Sequence, residues 1–375
     1  MLLGESLAVD VSRETIMVRF NKFLIPGEVR MIVIDGSFGE GGGQILRTSL
    51  TLSALTGKPL EIQNIRANRR HPGLRAQHLA AVNAIAKITG AESRGAELSA
   101  SRVQIFPGKP RGGSYQFNIV TAGALTLVLQ TIFLPLSLAE KPSAITLTGG
   151  THVRWSPIWD YIRDCWLPLM KHLGYHCEID LKKGGFYPRG GGKTLVNIKP
   201  SVPLKSFICT DRGELVRIRG FSGVANLEDS IAKRQKHQAL RHLYDVCQDS
   251  KIKTVTLPSP GKGTFLILEA EFSNCGCACF SALGAPGKPA EEVADEAVDE
   301  LIAFLDTNGC VDQYMADQIL LPLSIIPGES EFRTNRVTQH LLTNIHVIQQ
   351  FLPVRVILDG TIGTPGSVKI KGTAL

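Results

Sequence analysis

One short phrase recurs three times along this chain, and it restricts the fold more than any single motif does. Gln44-Ile-Leu-Arg-Thr-Ser-Leu, Gln130-Thr-Ile-Phe-Leu-Pro-Leu-Ser and Gln318-Ile-Leu-Leu-Pro-Leu-Ser each set a glutamine near the start of an apolar helix. The last two share Leu-Pro-Leu-Ser, at Leu134–Ser137 and Leu321–Ser324. A second helical pattern follows each phrase, at about Arg75–Thr89, Trp159–Leu173 and His340–Phe351, and Gly90 and Gly174 stop the first two. Strand-like alternation fills the gaps, as at Val103–Phe106, Tyr115–Ile119, Ala144–Thr148 and Val354–Leu358. A recurring unit that cannot bury its apolar face alone stacks on its copies. The expected class is therefore α/β (α+β), with three similar units whose sheets lie against layered helices.

Residues 211–309 break the rhythm. Strand Leu215–Arg219, a polar helix from about Glu228 to Asp249, strands Thr254–Leu257 and Thr264–Phe272, and a helix at Ala290–Leu305 make a small α/β module of their own. The expected layout is an N-terminal extension at 1–30, a large repeat domain at 31–210 and 310–375, and a small inserted domain at 211–309.

The composition excludes several classes. An apolar fraction of 43% rules out disorder as the main state. The stretch Ile119–Ala139 has no charge and is nearly long enough to span a bilayer, but Gln130, Pro135 and four hydroxyl residues interrupt it. A buried helix is expected there, and no membrane association. Arg13, Glu14 and Arg19 break any signal-peptide core, so a cytoplasmic location is expected. The eight cysteines are expected as thiols, and the alternating Cys275, Cys277 and Cys279 as one face of a strand rather than a metal site. The net charge of +7 suits a polyanionic partner.

Three segments can carry chemistry. Asp35-Gly-Ser-Phe-Gly-Glu40-Gly-Gly-Gly-Gln44 joins a strand to a helix bearing Arg47. Its free backbone N–H groups and helix N-terminus suit an anion, and Glu40 beside them suits Mg²⁺. The run Arg66 to His78 holds four arginines, whose forks bind phosphate bidentately. At the far end stand Tyr314-Met-Ala-Asp317-Gln318 and Gln339-His340. His340 opens a helix, whose N-terminal charge is expected to hold the imidazole neutral, as a nucleophile requires. By contrast, Arg189-Gly-Gly-Gly-Lys193-Thr194 only imitates a P-loop: Tyr187 occupies its first glycine position, and a strand pattern follows where a helix belongs.

Together these stretches, with Gly149-Gly-Thr151 and Gly185–Gly192, resemble the RNA 3′-terminal phosphate cyclase family in residue type and order, from Met31 to about Leu358. The resemblance implies a large domain of three βαβαββ-type repeats, related to the enolpyruvyl transferase fold, with a small inserted α/β domain. It implies an enzyme that turns an RNA 3′-terminal phosphate into a 2′,3′-cyclic phosphodiester using ATP and Mg²⁺ or Mn²⁺. His340 would carry AMP, and an RNA(3′)pp(5′)A end would follow. By the same resemblance Glu40 holds metal, while Arg47, Arg69 and Gln77 handle substrate phosphate. Gln130, Pro157 and Tyr314, Met315, Ala316, Asp317 and Gln318 match ATP-binding positions, with Tyr314 and Pro157 flanking adenine. The implied partners are ATP and RNA with a 3′-terminal phosphate; the oligomeric state is left open, a homodimer included. The chain departs from common members in its extension and at His152-Val-Arg-Trp155. The alternative is a non-catalytic, cyclase-like RNA-binding or ribosome-biogenesis factor, though such relatives lack the histidine present here as His340.

Overall fold

The computed structural model describes residues 31–201 and 203–375, and residues 15–16 of the first thirty. The rest of the 1–30 extension lies outside the described residues.

The first unit opens with Ile32–Asp35, followed by helix α1 (Gly43–Thr56), strand Leu60–Gln63, helix α2 (Ala76–Thr89) and strands Glu92–Arg94 and Val103–Phe106. The first two strands run parallel across α1; Val103–Phe106 joins antiparallel, and Glu92–Arg94 forms the edge. The second unit repeats this topology with Ser114–Asn118, α3 (Leu125–Ser137), Ser143–Gly149, α4, His176–Lys183 and Gly192–Lys199. Helix α4 is composite: Trp159–Tyr161 continues through a π-helical turn, Ile162–Trp166, into Leu167–His172.

The third unit begins with Ile208–Cys209, and the chain then leaves it. It builds a separate four-stranded sheet from Leu215–Ala225, Ser250–Thr256, Gly263–Phe272 and Cys277–Leu283, covered by α5 (Asp229–Leu243) and α6 (Ala290–Leu305). It returns with α7 (Gln313–Ser324), strand Gly328–Thr334, α8 (Gln339–Phe351), and strands Arg355–Asp359 and Gly366–Gly372. Three βαβαββ units are thus present, each starting with a parallel strand pair. The short strand Thr15–Ile16 pairs antiparallel with Leu358 and Asp359 at the edge of the third sheet.

The helices face inward and the sheets outward. Every residue of α3 except Gln130 is buried, so the uncharged stretch at Ile119–Ala139 is an interior helix. Pro135 cannot donate to the Thr131 carbonyl four residues back, and the Thr51 hydroxyl of α1 bonds that carbonyl at 2.8 Å instead. No helix among the described residues is long and apolar enough to cross a membrane. Phe133, fully buried, packs its ring edge-on to Trp166 at 4.7 Å and against Tyr175 at 5.6 Å. Phe133→Ala removes this centrepiece and should cost about 3–5 kcal/mol, read as a lower urea midpoint at unchanged slope.

The segment between Leu215 and Leu305 has its own apolar core, with Ile218, Leu268, Phe280, Val293 and Phe304 at its centre. The sequence expectation of a helix running to Asp249 is corrected: α5 ends at Leu243, and Ser250–Thr256 is a strand. The expectation that all eight cysteines are thiols is corrected too. Cys209, in the first strand of the third unit, is disulfide-bonded to Cys275 in the turn before Cys277–Leu283, with Cα atoms 6.0 Å apart. The sequence gives no spacing signal for this pair, because folding of the intervening sheet is what brings the turn back to the crossing point.

Candidate active site

Helices α1, α3, α7 and α8 converge on a cavity of about 610 Å³, walled on the other side by Cys277–Leu283 and α6. The cavity has two chemically different ends.

At the polar end stands His340, in the first turn of α8. Thr338 caps that helix by accepting the Leu341 N–H at 3.1 Å, which fixes where the imidazole emerges. The ring lies between two carboxylates: Nε2 is 2.9 Å from Oε2 of Glu40, and Nδ1 is 3.4 Å from Oδ2 of Asp317. Arg69 reaches the same Glu40 oxygen at 3.2 Å. Asp317 is buried, and burial lifts its carboxyl above the usual range against the pull of His340, Arg47 and Gln44. Asn344, one turn after His340, donates to the Asp317 carbonyl at 2.8 Å and accepts from Thr48 of α1 at 2.7 Å. Arg47 lines the cavity beside them; burial draws its pKa down to about 10, so it remains a cation at neutral pH.

The pKa of His340 moves in the opposite direction from the sequence expectation. Burial and Arg47 disfavour the imidazolium, but Asp317 and Glu40 outweigh them and raise the pKa above its ordinary value. Two carboxylates in contact with the ring are a stronger local field than the partial charge of a helix N-terminus.

The glycine loop explains how Glu40 reaches the ring. Asp35 turns the chain by accepting the Ser37 N–H at 2.9 Å and the Ser37 hydroxyl at 2.7 Å. Gly39 has φ +63°, and a Cβ there would lie 2.4 Å from the Thr343 hydroxyl of α8. A Cβ on Gly43, the first residue of α1, would lie 2.2 Å from Nε2 of His78. The loop can therefore press against α8 and α2 only with glycine at these positions.

At the other end, Tyr314 and Pro157 both line the cavity, as do Gln130 and Gln318, whose amides bond each other. The Tyr314 hydroxyl donates to Glu300 of α6 at 3.0 Å. Asp312 caps α7 through the Tyr314 and Met315 N–H groups and accepts from the Tyr161 hydroxyl at 3.0 Å, tying α7 to α4. Met315 and Ala316 do not face the cavity; they turn into the apolar core. Gln77 and Arg69 stand outside the cavity: Gln77 accepts the Ala124 N–H at the start of α3, at 3.2 Å. Among the described residues no group of three or more His, Cys, Asp or Glu could hold a metal ion alone. Glu40 is a half-exposed carboxylate at the cavity's polar end, which fits an ion taking its remaining ligands from phosphate and water.

His78 is a consequence of the same crowding. It is buried, accepts the Arg75 N–H at Nδ1, and is surrounded by Arg47, Arg66 and Arg75. Burial first, then those cations, bring its pKa down from 6.5 to about 3. The folded protein thus rejects a proton that the unfolded chain accepts. The contribution to stability is complete above pH 6.5 and is lost as pH falls toward about 3. His78→Gln should flatten the fall in unfolding midpoint over that interval; an unchanged slope would show that other groups set it.

Several lining residues carried no sequence signal. Ser281, Glu296 and Glu300 come from the segment outside the three units, where no motif marks them. Asn344 had one available clue: it lies four residues after His340, hence on the same helical face.

The comparisons with known proteins bear on the family. A family model described as RNA 3′-terminal phosphate cyclase matches residues 38–358. A protein named RNA 3′-terminal phosphate cyclase from Gloeothece citriformis is 42% identical over 333 residues, covering 86% of this chain and 93% of its own. Relatives of the same name from Pyrococcus furiosus and Methylococcus capsulatus are 40% and 41% identical, each covering 91% of this chain and 98% and 97% of their own. Among solved structures, the enolpyruvyl transferase NikO from Streptomyces tendae aligns over 45% of this chain and 33% of its own, at 16% identity and a TM-score of 0.26, too slight a likeness to bear on the fold. With a family model spanning most of its length and relatives near 40% identity matched almost end to end, the chain belongs to the RNA 3′-terminal phosphate cyclase family.

Proposed function

We propose that this protein closes RNA 3′-terminal phosphates into 2′,3′-cyclic phosphodiesters at the expense of ATP, with His340 as the covalent carrier of AMP. The observation that carries the reading is the placement of His340 between two carboxylates, at the polar end of a cavity whose other end offers Tyr314 and Pro157.

Asp317, facing Nδ1, holds that nitrogen's proton and leaves Nε2 as the reacting atom. Nε2 attacks the α-phosphorus of ATP; the bond to the bridging oxygen breaks, and pyrophosphate leaves. An oxygen of the RNA 3′-phosphate then attacks the same phosphorus and frees the imidazole. Finally the vicinal 2′-oxygen attacks the RNA phosphorus, losing its proton as AMP departs. That closure is intramolecular, which gives it a large effective concentration, and it requires the 2′-hydroxyl of RNA. Arg47, always cationic here, and Arg69 stabilise phosphate charge; Gln77 positions the start of α3 beside them. Glu40 would hold Mg²⁺ or Mn²⁺, which when bound neutralises the triphosphate's charge. Tyr314 and Pro157 flank the base, with Gln130 and Gln318 beside it. In this reading residues 211–309 are an inserted domain that completes the cavity, and the large domain is formed by 31–210 and 310–375.

The deciding experiment uses ATP labelled separately at the α and γ phosphates, with divalent metal and no RNA. Acid-labile retention of the α label alone is expected. If the folded protein binds ATP and RNA yet retains neither label, it acts as a cyclase-like binding factor and this mechanism falls.

A further inference from the structure

A surface that starts on the cavity rim and runs away from the groups just described has the composition of a single-strand nucleic-acid track. Trp155 is 96% exposed, whereas the chain's other two tryptophans, Trp159 and Trp166, are buried. Its backbone is in the left-handed region, at φ +64°, where a bulky side chain is a true outlier. The turn is held by the Ser156 hydroxyl, which donates to the Val153 carbonyl at 2.9 Å. The fold thus keeps a large apolar ring in water at a strained position on the cavity rim, with the exposed cation Arg154 next to it. Strain of this kind persists where the surroundings enforce it, and it clusters at binding sites.

The neighbours extend the pattern in both directions. Val153 packs on Ala122 and Ala124 at the start of α3, and the Ala124 N–H is bonded by Gln77. The turn bearing Trp155 is thus joined, through the start of α3, to Gln77 in the arginine-rich stretch that ends at His78. On the other flank, the His152 ring stacks on Phe186 at 4.9 Å, and the next residue, Tyr187, is 78% exposed. Arg189 follows, exposed and anchored by donating to the Pro260 carbonyl at 2.9 Å. Nearby carboxylates are engaged elsewhere: Asp160 by His152 and Arg163, Asp164 by Arg163, and on the same cavity wall Glu296 by Lys288 and Glu300 by the Tyr314 hydroxyl. Bare aromatic rings interleaved with guanidinium groups suit unpaired bases, which offer a stacking face whatever the sequence, joined by phosphates.

We infer that the single-stranded RNA segment upstream of the 3′-phosphate crosses this strip, with one of its bases stacked on Trp155. The inference rests on the proposed RNA reaction, and its test separates the two. The probes are a long 3′-phosphorylated single-stranded RNA, a nucleoside 3′-phosphate, and ATP. Long RNA should quench Trp155 fluorescence; the single nucleotide and ATP should not. Trp155→Gly suits the positive φ and so keeps the turn. It should weaken long-RNA binding about tenfold and raise KM for long RNA while leaving kcat in place. Trp155→Tyr should restore most of that binding.

Long-RNA affinity and KM unchanged in Trp155→Gly would overturn the inference. So would a variant that instead needs more ATP to form the AMP adduct, since the ring would then cover the nucleotide. Wild-type protein that binds and is quenched by long RNA but forms no AMP adduct would refute the reaction and leave this surface standing. An adduct with no effect of Trp155→Gly on RNA would do the reverse.

Discussion

His340→Ala yields a folded protein that retains no α label from ATP and cyclises RNA at least ~10⁴-fold more slowly than wild type. The size of the effect follows from the geometry. Both carboxylates converge on His340, the proposed nucleophile, at 2.9 and 3.4 Å, and no other imidazole lines the cavity among the described residues. Loss of a covalent carrier cannot be offset by tighter binding, because the remaining groups only position phosphate. Stability should change little, since Asp317 keeps the charge of Arg47 and a hydrogen bond from Gln44. Binding of ATP, measured by calorimetry, should survive. Residual adduct on this variant would place the nucleophile elsewhere.

Asp317→Asn produces the second-largest loss, about 10²- to 10⁴-fold in the rate of AMP transfer, with KM for ATP nearly unchanged. The substitution preserves shape but puts an amide where Nδ1 meets a carboxylate. It removes the charge that favours the correct tautomer and steadies the ring as positive charge develops on it. Burial makes the carboxylate's field stronger than the same charge at the surface. Asp317→Glu should recover less than a conservative exchange elsewhere, because the backbone of Asp317 is fixed by Asn344. Equal loss in kcat and in ATP affinity would instead make Asp317 a nucleotide-binding group.

The three units were legible because each sets a glutamine within an apolar helix and spaces its strands alike, a pattern that local sequence carries. The polar residues of the site were legible for a related reason: Glu40 lies in a glycine loop and His340 in the first turn of a helix, where glycines and caps punctuate the chain, and Asp317 follows within two turns of a capped helix start. What the sequence could not convey depends on distance in space. Met315 and Ala316 share a motif with Tyr314 and Asp317, yet helical periodicity turns them into the core. The raised pKa of His340 comes first from Asp317 and then from Glu40, three hundred positions away, which only packing brings beside the ring. The Cys209–Cys275 link and the π-helical turn in α4 likewise arise only from packing.

The point at which the extra sheet enters has a further consequence. It interrupts the third unit between its first strand and α7, so one wall of the cavity, with Ser281, Glu296 and Glu300, is encoded apart from the repeats that supply His340, Asp317 and Arg47. In the proposed function, one part of the nucleotide's surroundings is therefore encoded apart from the groups that make bonds, while Tyr314, Pro157, Gln130 and Gln318 share the repeats with them. Under that reading, substitutions in this one stretch can reshape a wall of the pocket while His340, Asp317 and Arg47 keep their places.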